Sequence, residues 1–407
     1  MTRFLQCRRP TAVLSLALVL AAAAAAVPAV AAPPGASTWP DWTTFQGNSA
    51  HTGYVPARLD PAKFTTRWQI PISTVQGGLT PGVASMATSN GLVYVSGGNR
   101  LDAYREADGS AVWSHDFSDL PFPSVNPPAL SKGVVYVAAG QQDSTFLFAF
   151  DAATGAAVFQ SPMSSQWENY LAPTVGAYGI YTNAGTYGGL YAFARNGKQR
   201  FVAYEAQQSL WTPAVDATGV YSYTGNLQVV DPQTGVVTHT IADDTFQNYT
   251  YLIGGSPVLG APGSVFVANY ANAPLNGGAI GNTLLNFSTL TDSIAWKVAG
   301  DYPTTPAYAA GRLYAVNNGP LRLEVRSEAD GTLAWQWTPP AGNLQFVSEV
   351  LLTDNLVFVS TDVATFAISL KTHKAVWSCS SAGKLALSRS GILYIQGSTT
   401  LTAFNAK

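Results

Sequence analysis

A short pattern recurs along the 407 residues of this chain: a tight turn is followed, four positions after its central residue, by an aromatic ring. Its copies are Gly109/Trp113, Gly155/Phe159, Gly197/Phe201, Gly235/His239, Asp292/Trp296, Gly331/Trp335 and His373/Trp377. Upstream of each copy, an apolar residue is followed by Tyr or Phe, as in Val135-Tyr136. Successive pairs of this kind are 36 to 48 residues apart. That spacing is typical of the four-stranded blades of a β-propeller.

The segment from Asn126 to Pro162 shows what one repeat contains. Four short runs rich in β-branched and aromatic residues are separated by turn residues, including the turn at Gly155. Such a segment is typical of an antiparallel meander. One meander alone leaves apolar residues on both faces, so stacking around a ring is needed to bury them. The sequence therefore predicts an all-β fold, an eight-bladed β-propeller of four-stranded antiparallel blades.

The two ends of the chain predict how the ring closes. The last repeat ends shortly after Phe404 and lacks an outer aromatic, whereas Trp68 follows a run of the same kind near the start. We expect residues 63–72 to supply the outer strand of the final blade, which removes two exposed sheet edges. The predicted organisation is a signal peptide at 1–31, an extended lead-in at 32–62, and a propeller at 63–407 whose last blade is closed by an N-terminal strand.

The first 31 residues have the features of an export signal. Arg3, Arg8 and Arg9 precede an apolar stretch, and Ala29-Val30-Ala31 fits the small-x-small cleavage rule. Cys7 comes before the apolar stretch rather than directly after it, so lipid attachment is not expected. The sequence therefore predicts a secreted or periplasmic protein without a membrane anchor.

Charge and cysteine content exclude some classes of function. Charged residues make up 11% of the chain, against roughly a quarter in typical globular domains. The formal net charge is −2, so a basic patch for nucleic acid is not expected. Cleavage after Ala31 leaves Cys379 as the remaining cysteine, which excludes an intramolecular disulfide. We expect a monomer that does not bind nucleic acid.

Two segments resemble a known superfamily. Residues 149–159 are similar to the Ala-x-Asp-x-x-Thr-Gly-x-x-x-Trp repeat of the pyrroloquinoline-quinone-like (quinoprotein alcohol dehydrogenase-like) β-propellers. The lead-in from Trp42 to Gly53 resembles the segment that precedes the ring in this superfamily. In size, the chain is closest to the propeller lipoproteins of the outer-membrane barrel-assembly machinery. The resemblance implies the fold, whereas the function differs among quinone-dependent dehydrogenases, assembly proteins and other secreted members.

The resemblance also implies what a quinone enzyme of this superfamily requires. Such enzymes hold the quinone between a Trp and a disulfide of adjacent cysteines, beside a Ca²⁺ ion bound by Glu, Asn and Asp. This chain has no adjacent cysteines, and its four histidines are not spaced like metal ligands. We therefore expect no quinone cofactor and no metal site of that kind.

Ligands of propellers bind at the loops that precede each inner strand and at those joining the second and third strands. In this chain those loops are rich in aromatic and amide residues, including Tyr187, and poor in charge. Flat rings beside amide groups suit a neutral ligand, such as a glycan or an extended peptide, or a protein partner. The alternative is that these side chains only fill the funnel, the central opening of the ring, and contact no ligand. The predicted ligand-binding residues are Trp167, Asn169, Tyr170, Trp211, Tyr251, Tyr302, Phe346 and Glu349.

Enzymatic activity is the second hypothesis. Glu168, Asp301 and Tyr170 are the predicted acid/base residues of a cofactor-independent enzyme acting on a polysaccharide or a small secreted metabolite. A hydrolase needs two carboxyl groups at a defined separation, which sequence does not give across blades. A third hypothesis is a passive scaffold within a membrane-protein complex.

Overall fold

The repeats fold into eight antiparallel sheets that are arranged in a ring, as predicted. A computed structural model describes residues 39–73, 86–121, 125–165, 172–208, 211–246, 253–271 and 282–407. Residues 37–407 belong to one compact unit. The predicted signal peptide lies outside the described residues. Three short 3₁₀ helices accompany the strands in the described part, at Phe45–Gly47, Pro61–Lys63 and Gln142–Ser144.

The chain reaches the ring at β1 (Thr65–Pro71) and then builds the blades in sequence. In each blade the first strand is innermost and the fourth is outermost. The strands of blades 1 to 4 are β2 (Met86–Ser89), β3 (Leu92–Gly97), β4 (Arg100–Arg105), β5 (Ala111–Asp116), β6 (Ala129–Ser131), β7 (Val134–Ala139), β8 (Thr145–Asp151), β9 (Ala157–Met163), β10 (Thr174–Val175), β11 (Ile180–Asn183), β12 (Leu190–Phe193), β13 (Gln199–Ala203), β14 (Ala214–Val215), β15 (Val220–Tyr223), β16 (Asn226–Val230) and β17 (Val237–Ala242).

Blade 5 has its inner strand in two pieces, β18 and β19, which both pair with β20. The strands of blades 5 to 8 are β18 (Ile253–Gly254), β19 (Val258–Leu259), β20 (Ser264–Ala271), β21 (Asn282–Ser288), β22 (Ser293–Gly300), β23 (Ala307–Ala309), β24 (Arg312–Asn318), β25 (Leu321–Ser327), β26 (Leu333–Trp337), β27 (Leu351–Leu352), β28 (Leu356–Ser360), β29 (Thr365–Ser369), β30 (Ala375–Cys379), β31 (Lys384–Leu387), β32 (Ile392–Gln396) and β33 (Thr400–Asn405).

Blade 8 is closed by the N-terminal strand, as the sequence predicts. β1 pairs antiparallel with β33, and the register places Trp68 opposite Ala403 and Ile70 opposite Leu401. The inner strands β2 and β31 contact each other, so the first and last blades are neighbours. Three strands come from the C-terminal end of the chain and one from near the N-terminal end, and they form one blade together.

The hydrophobic core lies between the blades. Alternate residues of each strand face opposite neighbours, so a blade contributes to two apolar layers. Tyr94 and Leu101 of blade 1, for example, pack with Val135 and Phe150 of blade 2. Because every blade covers its neighbour, the apolar surface that a single meander exposes is buried by the ring.

The recurring turn and aromatic interlock between consecutive blades. The ring of Trp113, on β5, lies so close to the turn of blade 2 that a Cβ added to Gly155 would be 2.7 Å from it. The indole Nε1 of Trp113 donates to the carbonyl oxygen of Ala152 in the same turn, at 2.9 Å. Gly155 has φ +72°, a conformation that favours glycine. The same packing joins Trp68 to Gly109, Phe159 to Gly197, Phe201 to Gly235 and Trp296 to Gly331.

We call the contact between two consecutive blades a seam. At two seams another residue takes the position of the glycine. Between blades 4 and 5, the Nδ1 atom of His239 lies 2.6 Å from a carboxylate oxygen of Asp292. Between blades 6 and 7, the ring of His373 stacks on Trp335 with centroids 4.2 Å apart. Both substitutes keep a positive φ, 47° for Asp292 and 56° for His373. The turn conformation is therefore retained where the interlocking residues differ.

The lead-in lies against the inner strands around the whole ring. Inner strands have a neighbour on one side only, so backbone N–H groups at their free edge need an acceptor. Carbonyl oxygens of the lead-in accept these groups in blades 1, 2, 4, 5, 6 and 7, at Thr88, Leu130, Val215, Leu259, Tyr308 and Leu352. Side chains reach the other two blades: Thr44 Oγ1 donates to the carbonyl of Pro173, and Trp39 Nε1 to that of Ser388.

A buried histidine fixes the middle of the lead-in. His51 is fully buried with φ +56°, and its Nδ1 and Nε2 atoms are each 3.1 Å from a partner. The Nδ1 partner is the carbonyl of Pro257, which only accepts, so Nδ1 carries the proton. Nε2 therefore accepts from the Thr174 hydroxyl. Burial lowers the pKa of His51 from 6.5 to about 3, so the ring is neutral at physiological pH.

The interlock between blades predicts different costs for two glycine substitutions in blade 2. Gly155 and Gly133 have φ of +72° and +78°, but a Cβ on Gly133 meets no atom within 4 Å. Gly155→Ala is expected to lower the free energy of unfolding by about 1–3 kcal/mol more than Gly133→Ala, because only the former forces Trp113 to move. Chemical denaturation measures both. In a Trp113→Ala background the difference should disappear, and equal costs in the wild-type background would contradict the interlock.

The neutral His51 predicts that acid destabilises the protein. Because the native-state pKa is depressed, the His51 contribution is fully present above pH 6.5 and declines as the pH falls towards 3. Between pH 7 and pH 5 this amounts to about 2 kcal/mol. His51→Asn, in which Asn tolerates the positive φ, should lack that part of the pH dependence in denaturation curves. His373→Asn has the same φ but an exposed side chain, so it should keep the pH dependence of the wild type, whatever its stacking on Trp335 contributes to stability. Loss of the pH dependence in both variants would contradict the assignment to His51.

Candidate functional site

The connections between blades meet at one end of the ring. Each outer strand ends where the next inner strand begins, and the links between second and third strands lie at the same end of the sheets. We call this end the loop face, and the opposite end, formed by the other two turns of each blade, the turn face. The predicted residues that the structure describes lie in connections at the loop face: Trp211, Asp301, Tyr302, Phe346 and Glu349.

Five predicted residues lie outside the described residues: Trp167, Glu168, Asn169, Tyr170 and Tyr251. Their roles stay predictions.

Three predicted aromatic residues are buried between blades. Trp211 is 1% exposed, packs with Tyr181 at the seam of blades 3 and 4, and donates from Nε1 to the carbonyl of Gln208 at 3.0 Å. The hydroxyl of Tyr302 donates to the Glu324 carboxylate at 2.8 Å. The ring of Phe346 is buried in the apolar cluster of blades 6 and 7. These three rings pack the seams of the propeller, and ligand contact by them stays a prediction.

The two predicted carboxylates in the described residues have different partners. Glu349 lies 3.0 Å from Lys384, so an ion pair joins blade 7 to blade 8. Asp301 follows the outer strand of blade 5, and its carboxylate accepts from the side-chain amide of Asn282 at 2.8 Å. The roles of Asp301 in catalysis and of Glu349 in ligand binding stay predictions.

Sequence analysis missed a buried acid on this face. Glu205 follows β13, is fully buried and accepts hydrogen bonds from the hydroxyls of Ser222 and Thr224. With the Gln228 amide nitrogen facing the carboxylate, that nitrogen is 3.1 Å from both oxygens. Burial raises the pKa of Glu205 to about 7, although the two hydroxyls lower it. In the sequence, Glu205 is a single acid at the end of an outer strand, and that position alone does not indicate burial.

The loop face also exposes large apolar side chains in blade 3. Tyr187 is 74% exposed in the link between β11 and β12, and Tyr204 is 75% exposed directly after β13. The two segments touch, because a Cβ on Gly188 would be 2.3 Å from the carbonyl oxygen of Glu205. Val202 is also exposed and lies beside Gly189. We call Tyr187, Val202 and Tyr204 the tyrosine patch.

A second exposed apolar pair lies on blade 7. The exposed residues Leu344 and Val363 come from two different connections. The backbone N–H of Leu344 donates to the carboxylate of Asp362 at 3.0 Å, which brings the two connections together. Blades 3 and 7 are four positions apart in a ring of eight, so the pair lies across the ring from the tyrosine patch.

Metal and membrane features are limited in the part of the chain that the structure describes. In that part, no group of three or more His, Cys, Asp or Glu side chains is placed to hold a metal ion. None of its helices has the length and apolar character needed to cross a bilayer.

Eight blades, the interlocking aromatics and the Asp-x-x-Thr-Gly turns that begin at Asp151 and Asp231 define a propeller of the pyrroloquinoline-quinone-like superfamily. Within it, residues 51–273 match the model of the family described as outer membrane protein assembly factor BamB. The chain belongs to this family.

Solved structures with the same fold include both assembly factors and enzymes. BamB from Moraxella catarrhalis is 14% identical, with a TM-score of 0.63 over 84% of this chain and 98% of that one. A europium-containing methanol dehydrogenase is 13% identical, with a TM-score of 0.61 over 87% and 89%. Quinohemoprotein alcohol dehydrogenase from Comamonas testosteroni is 16% identical, with a TM-score of 0.61 over 90% and 81%. At these identities the likeness shows the fold. No curated protein matches the sequence.

The chain does not fit the quinone site that the resemblance implies. Cys7 and Cys379 are far apart in sequence, so a disulfide of adjacent cysteines cannot form. Cys379 lies at the end of the outer strand β30, and burial raises the pKa of its thiol. No catalytic step through a quinone is derived for this protein.

Proposed function

We propose that this protein is an exported binding propeller that holds a protein partner through its loop face. The observation that carries the proposal is the tyrosine patch, where two tyrosines of adjoining connections expose about three quarters of their surface. The family provides support, since it is named for the assembly of outer membrane proteins. The export signal predicted at residues 1–31 and a secreted or periplasmic location belong to the same proposal.

The chemistry of the patch suits an extended, mainly apolar segment of the partner. Tyrosine rings provide a large contact area at low entropic cost and are frequent among binding hot spots. β13 is the last strand of its sheet, so its free edge lies beside the exposed Val202. An extended segment can pair with such an edge while its side chains cover neighbouring rings.

The exposed pair on blade 7 extends this proposal to a partner with two contact points. Leu344 and Val363 lie across the ring from the tyrosine patch, so one partner that spans the loop face covers both. A glycan remains the alternative ligand, and it requires the tyrosine rings but not the aliphatic pair.

The enzyme hypothesis stays a prediction. Of its three residues, Asp301 is the one in the described part of the chain, and Asn282 holds its carboxylate. Glu205 is fully buried, so its carboxyl group does not reach the surface of the loop face.

Photo-crosslinking from the tyrosine positions tests the proposal in intact cells. A benzophenone amino acid at position 187 or 204 is expected to give a protein adduct identified by mass spectrometry. The same probe in place of Tyr178, an exposed tyrosine in a turn-face loop of the same blade, should not give that adduct.

The identified partner then permits a quantitative test. With purified proteins, Tyr187→Ser and Tyr204→Ser are each expected to weaken binding at least about tenfold, or 1.4 kcal/mol. Tyr178→Ser should bind as wild type. Adducts that are equally strong at position 178, or affinities that none of the variants changes, would refute the loop face as the binding surface.

A further inference from the structure

Glu106 is a buried acid whose carboxylate has no hydrogen-bond partner. It lies between β4 and β5 on the turn face of blade 1 and is 4% exposed. Both carboxylate oxygens lack a hydrogen bond. Its backbone is well paired, because its carbonyl accepts from Arg67 Nε at 2.9 Å and from Trp68 Nε1 at 3.0 Å. A buried, uncompensated charge is costly, so this carboxyl group requires either a counter-charge or a proton.

The groups around this carboxylate are oxygen atoms from three segments of the chain. The hydroxyls of Ser388, Ser390 and Tyr394, all from blade 8, lie close enough to influence its pKa. The Tyr394 hydroxyl is itself buried and without a hydrogen bond. Asp41 of the lead-in adds a second negative charge. Its carboxylate accepts from the backbone of Arg389 at 3.1 Å and of Asn90 at 3.3 Å, so it bridges blades 8 and 1.

Arg67 does not neutralise this group of acids. Its Nε donates to the carbonyls of Glu106 and Ala107, and its Nη1 donates to the side-chain oxygen of Asn405. Burial raises the pKa of Glu106 to about 7, although the hydroxyls of Ser390, Ser388 and Tyr394 lower it, and the charge of Asp41 acts in the same direction as burial. A single proton on Glu106 provides one hydrogen-bond donor. Two carboxylates and three hydroxyls, in contrast, provide several oxygen atoms that one cation can contact.

We propose that Glu106 and Asp41, with the hydroxyls of Ser388, Ser390 and Tyr394, bind a divalent cation of the calcium type. Calcium takes oxygen ligands in flexible geometry and accepts neutral oxygens beside carboxylates. The cation joins the lead-in, the first blade and the last blade at the seam where the ring closes. This role concerns the turn face and is independent of the partner bound at the loop face.

Terbium luminescence and thermal unfolding test the cation site on the full chain. Tb³⁺ replaces Ca²⁺ at oxygen sites, and the rings of Trp68 and Tyr394, with centroids 5.8 Å apart, are placed to sensitise its emission. Protein stripped with a chelator at pH 8 is expected to show saturable Tb³⁺ emission that Ca²⁺ displaces. Its melting temperature should rise by about 2 °C when Ca²⁺ exceeds the dissociation constant tenfold.

Three variants distinguish a bound cation from a bound proton at Glu106. Glu106→Gln should abolish the emission and the thermal shift, and Asp41→Asn should weaken Ca²⁺ binding at least about tenfold. Glu205→Gln removes another buried acid of raised pKa, whose oxygens have hydrogen-bond partners, and should keep both responses. Wild-type protein without a Ca²⁺ response would overturn the proposal. So would a stability that falls between about pH 4.5 and pH 7 regardless of Ca²⁺ and no longer does so in Glu106→Gln, since a proton then neutralises Glu106 in the folded state.

Discussion

The contact between the outer aromatic of one blade and the turn of the next is the interaction on which the ring depends. It combines close packing of a ring on a glycine with a hydrogen bond from the indole to a turn carbonyl, as Trp113 and Trp296 show. Because the contact joins residues of adjacent repeats, each blade positions its successor. The last such contact, Trp68 on Gly109, joins the closing blade to the first.

The seams show how far the side chains at these positions can vary. Between blades 4 and 5 a close polar contact of His239 with Asp292 stands in place of aromatic and glycine, and Lys297 adds an ion pair with Asp244 at 2.6 Å. The positive backbone torsion of the turn remains, so the geometry is kept while the side chains vary. Solved structures with identities of 13 to 16% have the same fold as this chain.

The fold followed from the sequence because its signals are local and repeated. Three signals were sufficient to predict the blade count and the closing strand: the four-residue offset, the spacing of the apolar–aromatic pairs, and the position of Trp68 before the first repeat. Burial at the loop face was harder to infer, because an aromatic before an inner strand can face the funnel or a neighbouring blade. Trp211 and Tyr302 face neighbouring blades. The Glu106 group lies beyond sequence reasoning, since its members come from distant parts of the chain.

The lead-in has a consequence for the order in which the protein folds. It is made first, yet its carbonyl groups accept from inner strands of six blades, its side chains donate to the other two, and Trp39 bonds to Ser388 across 349 residues of chain. Contacts between such distant residues form slowly, because a long loop must close before they contribute. The lead-in can bond to early blades as they emerge, but the bond of Trp39 to Ser388 and the pairing of β1 with β33 require the eighth blade. The two ends of the chain therefore meet in the last step of folding, when the ring closes.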